Sequence, residues 1–351
     1  MTNDQVILAA PCSSHGRLEQ LVALGGVNSS ALASTGLFTL RGNIIHYSGF
    51  DKIVSELARV HRRGVVAGAA ESMQILGQTG CGKSTLLKWY CKQFPPYEID
   101  GDKVLQVLYV ETPEAPTVKS LAAEVLRAMG DGFPSKGSAD EKTERIIYLC
   151  RELKVELILL DEIQHFIDSG KKAELARLTD WLKRLINALE RPVILAGLPK
   201  SLLVTRSNPQ LRRRFSAPLQ LEPLGYETKA QQAEFRGVLQ AFWKSMPTGS
   251  IDISQHETAQ RMYYATAGLM DYIVKILDDA VSRGGSGTGG AINIFDLANS
   301  FRRAVWGGAP DGLNPFLSEA TLRFLNRPGE PFEVWDPIER YRGGRTKAGE
   351  L

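Results

Sequence analysis

The segment Gly77 to Thr85, GQTGCGKST, carries the residue types and spacing to hold a phosphate chain. It fits the pattern GxxxxGK[ST], preceded by an apolar strand-like run and followed by a helical one, which is the context the pattern requires. Gly77, Gly80 and Gly82 let the backbone curl so that successive N–H groups, across Gln78, Thr79 and Cys81, face an anion. The opening of the next helix adds its own favourable field. Lys83 is expected to reach the β- and γ-phosphates of ATP, and the Ser84 hydroxyl to ligate Mg²⁺, with Thr85 closing the loop. Cys81 inside the loop would make nucleotide binding sensitive to thiol modification. The plain alternative is a small residue tolerated there.

A second cluster complements the first. The run LILLDE, Leu157 to Glu162, is a buried apolar strand ending in two carboxylates. Asp161 is placed to hold the Mg²⁺ shell, and Glu162 to polarise the attacking water. An acidic strand end that merely caps a helix would look the same in isolation; the pairing with GQTGCGKST favours hydrolysis. Thr112, after the run VLYVE, is a candidate to hold Glu162 in check, or simply begins a turn before Pro113. The run VILAGLP ends without Asn, Thr or Ser. Sensing of the γ-phosphate there lacks a side chain, or falls to the backbone at Gly197.

These residues need a scaffold, and the pattern predicts one. Apolar runs at 72–77, 104–111, 155–162, 192–199 and 217–224 alternate with amphipathic helical stretches. Continuous apolar strands of that kind belong to a parallel sheet covered on both faces. The fold class is therefore α/β: a P-loop ATPase core with a five-stranded parallel sheet between helices, and a small helical lid. Ahead of it, YSGFDKIVSELARVHRRG reads as an amphipathic helix with Phe50, Ile53, Val54, Leu57 and Val60 on one face and Ser48 as N-cap. The divisions are an N-terminal arm (1–45), the ATPase core (46–224), an all-helical lid (225–283), a Gly/Ser linker with C-terminal helices (284–326), and a flexible tail (327–351). The tail carries apolar anchors at Phe332, Val334, Trp335, Ile338 and Tyr341. It reads as a solvated segment or as a docking peptide.

Composition narrows the class further. The 351 residues are 43% hydrophobic and 23% charged, the ordinary globular range, and the net charge of +3 permits nucleic acid as a partner without requiring it. The four cysteines form no CxxC pair, which argues against zinc and for reduced thiols. With no signal peptide and no long apolar span, the expected compartment is the cytoplasm, with no membrane partner.

Taken together, IIHYSGFDKIVSELARV, GQTGCGKSTLLKWY, VLYVETPEAPTVKSLAAEVLRAMG, LILLDEIQHFI, VILAGLP and PQLRRRF make the chain resemble the TniB/TnsC family of AAA+ transposition regulators, over about residues 43–283. The resemblance implies an ATPase that assembles with ATP into rings or helical filaments on double-stranded DNA. It further implies a link between a TniQ-type target selector and a DDE transposase, and disassembly upon hydrolysis. The wider clade also contains replication initiators, helicase loaders and secretion ATPases, and a non-hydrolysing scaffold is a third alternative; Glu162 argues against the last.

The resemblance also gives roles to basic residues. Leu211-Arg-Arg-Arg-Phe215 matches an element whose arginine reaches the neighbouring subunit's ATP, which points to Arg214 acting in trans, with Arg213 as second choice. Related ATPases place a nucleotide-touching arginine in the lid; the nearest base here is Lys275. A DNA-facing helix start is expected at Thr117 and Lys119, both suited to phosphate contact without base readout, unless this is an ordinary capped surface helix. Lys142 with Arg145, or Lys171 with Lys172, are the other options. Missing sensor groups imply slow hydrolysis, as in a switch rather than a motor.

Overall fold

The computed structural model describes residues 40, 42, 44–66, 71–283 and 290–333. They divide into two compact units, one over Ile44–Glu222 and one that begins at Pro223 and includes Leu40 and Gly42.

The first unit is a parallel sheet covered by helices. Its elements are α1 (Ser48–Val66), β1 (Met73–Leu76), α2 (Lys83–Lys92), a hairpin of β2 (Tyr97–Ile99) and β3 (Asp102–Val104), β4 (Val107–Glu111), α3 (Val118–Met129), α4 (Ala139–Glu152), β5 (Leu157–Asp161), α5 (His165–Asp168), α6 (Lys172–Leu189), β6 (Val193–Gly197), α7 (Leu202–Arg206), α8 (Pro209–Arg212) and β7 (Leu219–Gln220). The five-stranded sheet runs β4-β5-β6-β1-β7 with every pair parallel, as the continuous apolar runs require. Each strand of the β1, β5 and β6 group is buried along its whole length. The helices α3, α4 and α6 close over one side of the sheet through Leu121, Val125, Ile146, Leu182 and Ile186, all fully buried.

Two strand expectations change in detail, and one hairpin is added. The run 104–111 is two strands, because Gln106 interrupts it: its carbonyl accepts from Glu156 and Leu157, and its side-chain Nε2 donates to Glu156 Oε1 at 3.2 Å. The β2–β3 hairpin before it has no apolar alternation to announce it. The run 217–224 shrinks to Leu219–Gln220, since Pro218 and Pro223 bring no N–H to a ladder. Helix α1 buries the five residues expected on its inner face, but begins at Ser48 itself. Tyr47 takes the capping position, its carbonyl accepting from Asp51 at 2.9 Å.

One buried polar set ties α1, α2 and the lower end of the sheet. His61 is fully buried, with Nδ1 3.0 Å from Tyr90 Oη and Nε2 3.1 Å from Glu156 Oε2. Every partner in the set is satisfied, so it specifies one packing instead of weakening the core.

The second unit is helical: α9 (Lys229–Trp243), α10 (His256–Thr266), α11 (Met270–Arg283) and α12 (Ile294–Ala304). Capping boxes at Thr228 and Asn293 start α9 and α12. Tyr226, Phe235 and Tyr263 form its aromatic centre. The described part of the expected flexible tail, residues 327–333, is packed. Arg323 and Glu330 form an ion pair, Phe332 N–H donates to the Leu325 carbonyl at 2.9 Å, and the Phe332 ring packs edge-on against Tyr272. The remaining tail anchors, the linker at 284–289 and the arm up to residue 39 lie outside the described residues.

Candidate functional site

The carboxyl ends of β5, β6 and β1, the central strands, lie at one end of the sheet, where ligands of open α/β sheets settle. The loop from β1 to α2 turns through two left-handed glycines, Gly80 (φ 82°) and Gly82 (φ 97°), a conformation that any side chain would strain. Gly77 is fixed by space as well: a Cβ there would sit 2.5 Å from the Leu221 carbonyl oxygen. The loop is supported from α1, where Tyr47 Oη donates to the Cys81 carbonyl at 3.5 Å. Gln78, Thr79 and Thr85 face solvent, and Ser84 is half-buried on the first turn of α2.

Lys83 folds back on its own loop. Its Nζ donates to the carbonyls of Gly77 (2.8 Å) and Gln78 (2.9 Å). Burial pulls its ammonium below the ordinary lysine range, against the opposing pull of Cys81, Glu162 and Asp161 nearby. A phosphate chain offers that ammonium a charged acceptor in place of two carbonyls. Cys81 is buried, and burial pushes its thiol up, so it carries little of the thiolate character that thiol reagents need. The other described cysteines, Cys91 and Cys150, are also free.

Asp161 is fully buried at the end of β5 and held from two sides. Oδ1 accepts from the Glu162 N–H at 2.8 Å, and Oδ2 accepts from Tyr109 Oη at 2.9 Å. Each carboxylate oxygen keeps a second lone pair, so the donor set of Asp161 and Ser84 fits Mg²⁺, which binds through one or two carboxylates plus substrate phosphates. The phenol of Tyr109, pushed up by burial and by Asp161, stays a donor at any working pH. Tyr109→Phe is therefore expected to raise the Mg²⁺ concentration needed for half-maximal nucleotide binding by about tenfold, the scale of one hydrogen bond to a charged group. Titrating Mg²⁺ against a fluorescent ATP analogue checks this; an unchanged midpoint would remove Tyr109 from the site.

Glu162 sits in the left-handed region (φ 56°), which turns its side chain out of the strand's path. It does not pair with Thr112, as one sequence reading had it. The Thr112 hydroxyl is buried and has no hydrogen-bond partner among the described residues, and the partner of Glu162 is Gln164, whose Nε2 donates to Oε2. Tyr109 and Gln164 were both missed from sequence. Nothing in their spacing marks them: Tyr109 meets Asp161 across two strands, and Gln164 joins Glu162 to the Leu198 N–H after β6.

The basic candidates separate clearly. Arg212, Arg213 and Arg214 are all exposed, between fully buried Leu211 and half-buried Phe215, and none makes an ion pair with a described residue. The Arg214 carbonyl accepts from Ser72 at 2.8 Å, at the start of β1, so Arg214 stands at the opposite end of that strand from Gly77. Lys275, in the second unit, pairs with Asp271 at 2.6 Å and lies over the Tyr272 ring. Thr117 caps α3, its hydroxyl accepting from Ser120 N–H at 3.1 Å, and Lys119 is exposed beside it. Lys142 is not a surface cation. It is 1% exposed, and its Nζ donates to the carbonyls of Pro134 and Lys136, while Arg145 pairs with Asp131 and donates to the Phe133 carbonyl. Both hold the loop before α4. Lys171 and Lys172 remain exposed at the start of α6. Among the described residues no helix is long and apolar enough to cross a membrane, and no cluster of three or more His, Cys, Asp or Glu could hold a metal by itself.

Comparison with known proteins follows the same lines. A family model described as bacterial TniB protein matches residues 38–224. Among solved structures, the chain is similar to the ORC2 protein of Aeropyrum pernix in its ADPNP–ADP complexes, with a TM-score of 0.54 and 16% identity over 73% of this chain and 70% of that one. It is also similar to the ORC1 protein of Aeropyrum pernix in complex with DNA, with a TM-score of 0.52 and 15% identity over 77% of this chain and 66% of that one. A curated relative, the ORC1-type DNA replication protein 2 of Halobacterium salinarum, is 27% identical over 137 residues, 37% of this chain and 52% of that protein. The chain thus spans about half the length of the curated relative that it matches.

Proposed function

The chain belongs to the TniB family and has the AAA+ ATPase fold, and from that premise we propose that it is an ATP-gated, DNA-binding switch of transposition. The observation that carries the proposal is the arrangement of Lys83, parked on its own loop within electrostatic reach of Asp161 and Glu162. In this reading the N–H groups of Gly77–Thr85 and the Lys83 ammonium take the phosphates of ATP. Ser84 and Asp161 would hold Mg²⁺, which when bound would neutralise charge on the phosphates. Glu162 orients and polarises the attacking water, and Arg214 of a neighbouring copy stabilises charge on the γ-phosphate. The ATP site is complete only in an oligomer, so nucleotide and assembly are coupled.

DNA contact is assigned to the start of α3, at Thr117 and Lys119, through phosphates. Little sequence preference and a steep salt dependence follow from that. The partners are double-stranded DNA, further copies of the chain in a ring or filament, a TniQ-type selector and a DDE transposase, all in the cytoplasm. Turnover is slow, because β6 ends in Gly197 where a polar side chain would sense phosphate, and Lys275 is engaged with Asp271.

Negative-stain electron microscopy tests the proposal directly. With double-stranded DNA and a non-hydrolysable ATP analogue together, rings or filaments are expected; with either omitted, they should be absent. A monomer under all conditions would sink it.

A further inference from the structure

Strand β1 carries one polar side chain in an otherwise apolar run, Gln74, and it is 1% exposed. A buried carboxamide is costly unless both of its ends are bonded. Here both are. Its Nε2 donates to the Ser201 carbonyl at 2.8 Å, and its Oε1 accepts from the Thr205 hydroxyl at 3.0 Å. The orientation of the amide is fixed, because a backbone carbonyl can only accept. Ser201 and Thr205 are themselves buried, in the turn after β6 and in α7. The middle of β1 thus grips the start of the segment that leads to the three arginines.

The far end of that segment returns to the same strand line. Ser72 N–H donates to the Arg214 carbonyl at 2.8 Å, and Ser216 N–H donates to the Ser72 carbonyl at 3.0 Å. Between the two anchors, Val204 and Leu211 are fully buried, and Asn208 caps α8 by accepting from the Gln210 and Leu211 N–H groups. Residues 201–216 therefore form a loop closed at both ends, on Gln74 and on Ser72. The strand that closes it runs on directly into Gly77 and the phosphate loop.

We propose that Gln74 is a positioning residue for catalysis in trans: it fixes the α7–α8 segment to the strand that carries the chain's own phosphate loop, and so sets where Arg214 stands for the neighbouring copy's ATP. The proposal rests on the reading of Arg214 as acting in trans. With the Gln74 anchor gone, the start of the segment is free to shift on the sheet, and only the main-chain bonds at Ser72 still tie it to β1. A catalytic group misplaced by about 1 Å can cost about 10²-fold in rate. The bonds that hold Lys83, Asp161 and Glu162 do not involve Gln74. The loss therefore falls on the neighbour's site and not on the chain's own.

Mixed oligomers of the full chain test this, with double-stranded DNA, ATP and Mg²⁺. Arg214→Ala subunits can receive an arginine but not give one; Glu162→Gln subunits can give one but not hydrolyse. In their mixture, Gln74→Leu placed in the giving subunits is expected to lower turnover about tenfold, and placed in the receiving subunits to change it by less than about twofold. A role in packing alone would weaken both placements alike. Thr205→Val removes one of the two bonds from outside the strand. It should show the same asymmetry at about threefold, near the worth of one neutral hydrogen bond, and it decides the matter should Gln74→Leu fail to fold. A loss in the receiving placement that equals or exceeds the loss in the giving one, or no loss in either, overturns the proposal. If the mixture hydrolyses no ATP even with Gln74 intact, the trans role of Arg214 fails and takes the role of Gln74 with it.

Discussion

Glu162→Gln is expected to lower ATP turnover about 10³-fold, within the range attributed to a positioned general base, while nucleotide binding and assembly on DNA persist. The geometry separates these effects. Lys83 and the glycine loop, which would bind the phosphates, touch neither oxygen of Glu162. Asp161 is fixed by Tyr109 and by the Glu162 backbone, not by the Glu162 side chain. A glutamine keeps the shape and can still bond Gln164, so only the basicity of the carboxylate is lost. The check pairs steady-state ATPase with dissociation of labelled DNA after ATP is added to pre-assembled protein. The variant should hold DNA long after the unaltered chain has released it. Turnover within about tenfold of the unaltered rate would point to another base.

The second large effect belongs to a residue far from its own ATP loop. Arg214→Ala should lower turnover about 10³-fold, as loss of an arginine acting in trans does, and weaken ATP-dependent assembly. Ser72 and Gly77 bracket β1, and at roughly 3.3 Å per residue the strand separates the Arg214 backbone from its own loop by about 16 Å. That is more than a guanidinium can span in cis. The side chain is exposed and makes no ion pair among the described residues, as a residue awaiting a neighbour would. Mixing gives the decisive readout. Arg214→Ala subunits keep an intact Glu162, and Glu162→Gln subunits keep an intact Arg214, so the mixture should hydrolyse ATP where each alone does not. Arg213→Ala should lose less. If Arg214→Ala loses DNA affinity with its ATPase intact, the run of three arginines contacts DNA and not a neighbour's ATP.

The fold was largely legible because it rests on features the sequence writes locally. A buried parallel strand must be apolar throughout, so β1, β5 and β6 stand out, and a phosphate loop needs its glycines at set intervals. The helix face of α1 follows from the 3.6-residue period. What escaped depends on distant partners. Gln106 breaks a strand because Glu156 receives it; Lys142 looks like a surface base yet is buried by the carbonyls of its own preceding loop. Tyr109 and Gln164 read as an ordinary strand residue and an ordinary helix start. Their chemistry exists only once Asp161, Glu162 and Leu198 are brought beside them.

The set of bonds around α1 has a mechanical meaning. One end of the helix is pinned to the phosphate loop, by Tyr47 on the Cys81 carbonyl, and the other is pinned to α2 and the base of β5, by His61 on Tyr90 and Glu156. A rod clamped at both ends cannot roll or slide by itself. A load applied to α1 therefore reaches the phosphate loop as displacement and not as slack, which makes this helix a stiff strut between whatever bears on its outer face and the site that would hold ATP.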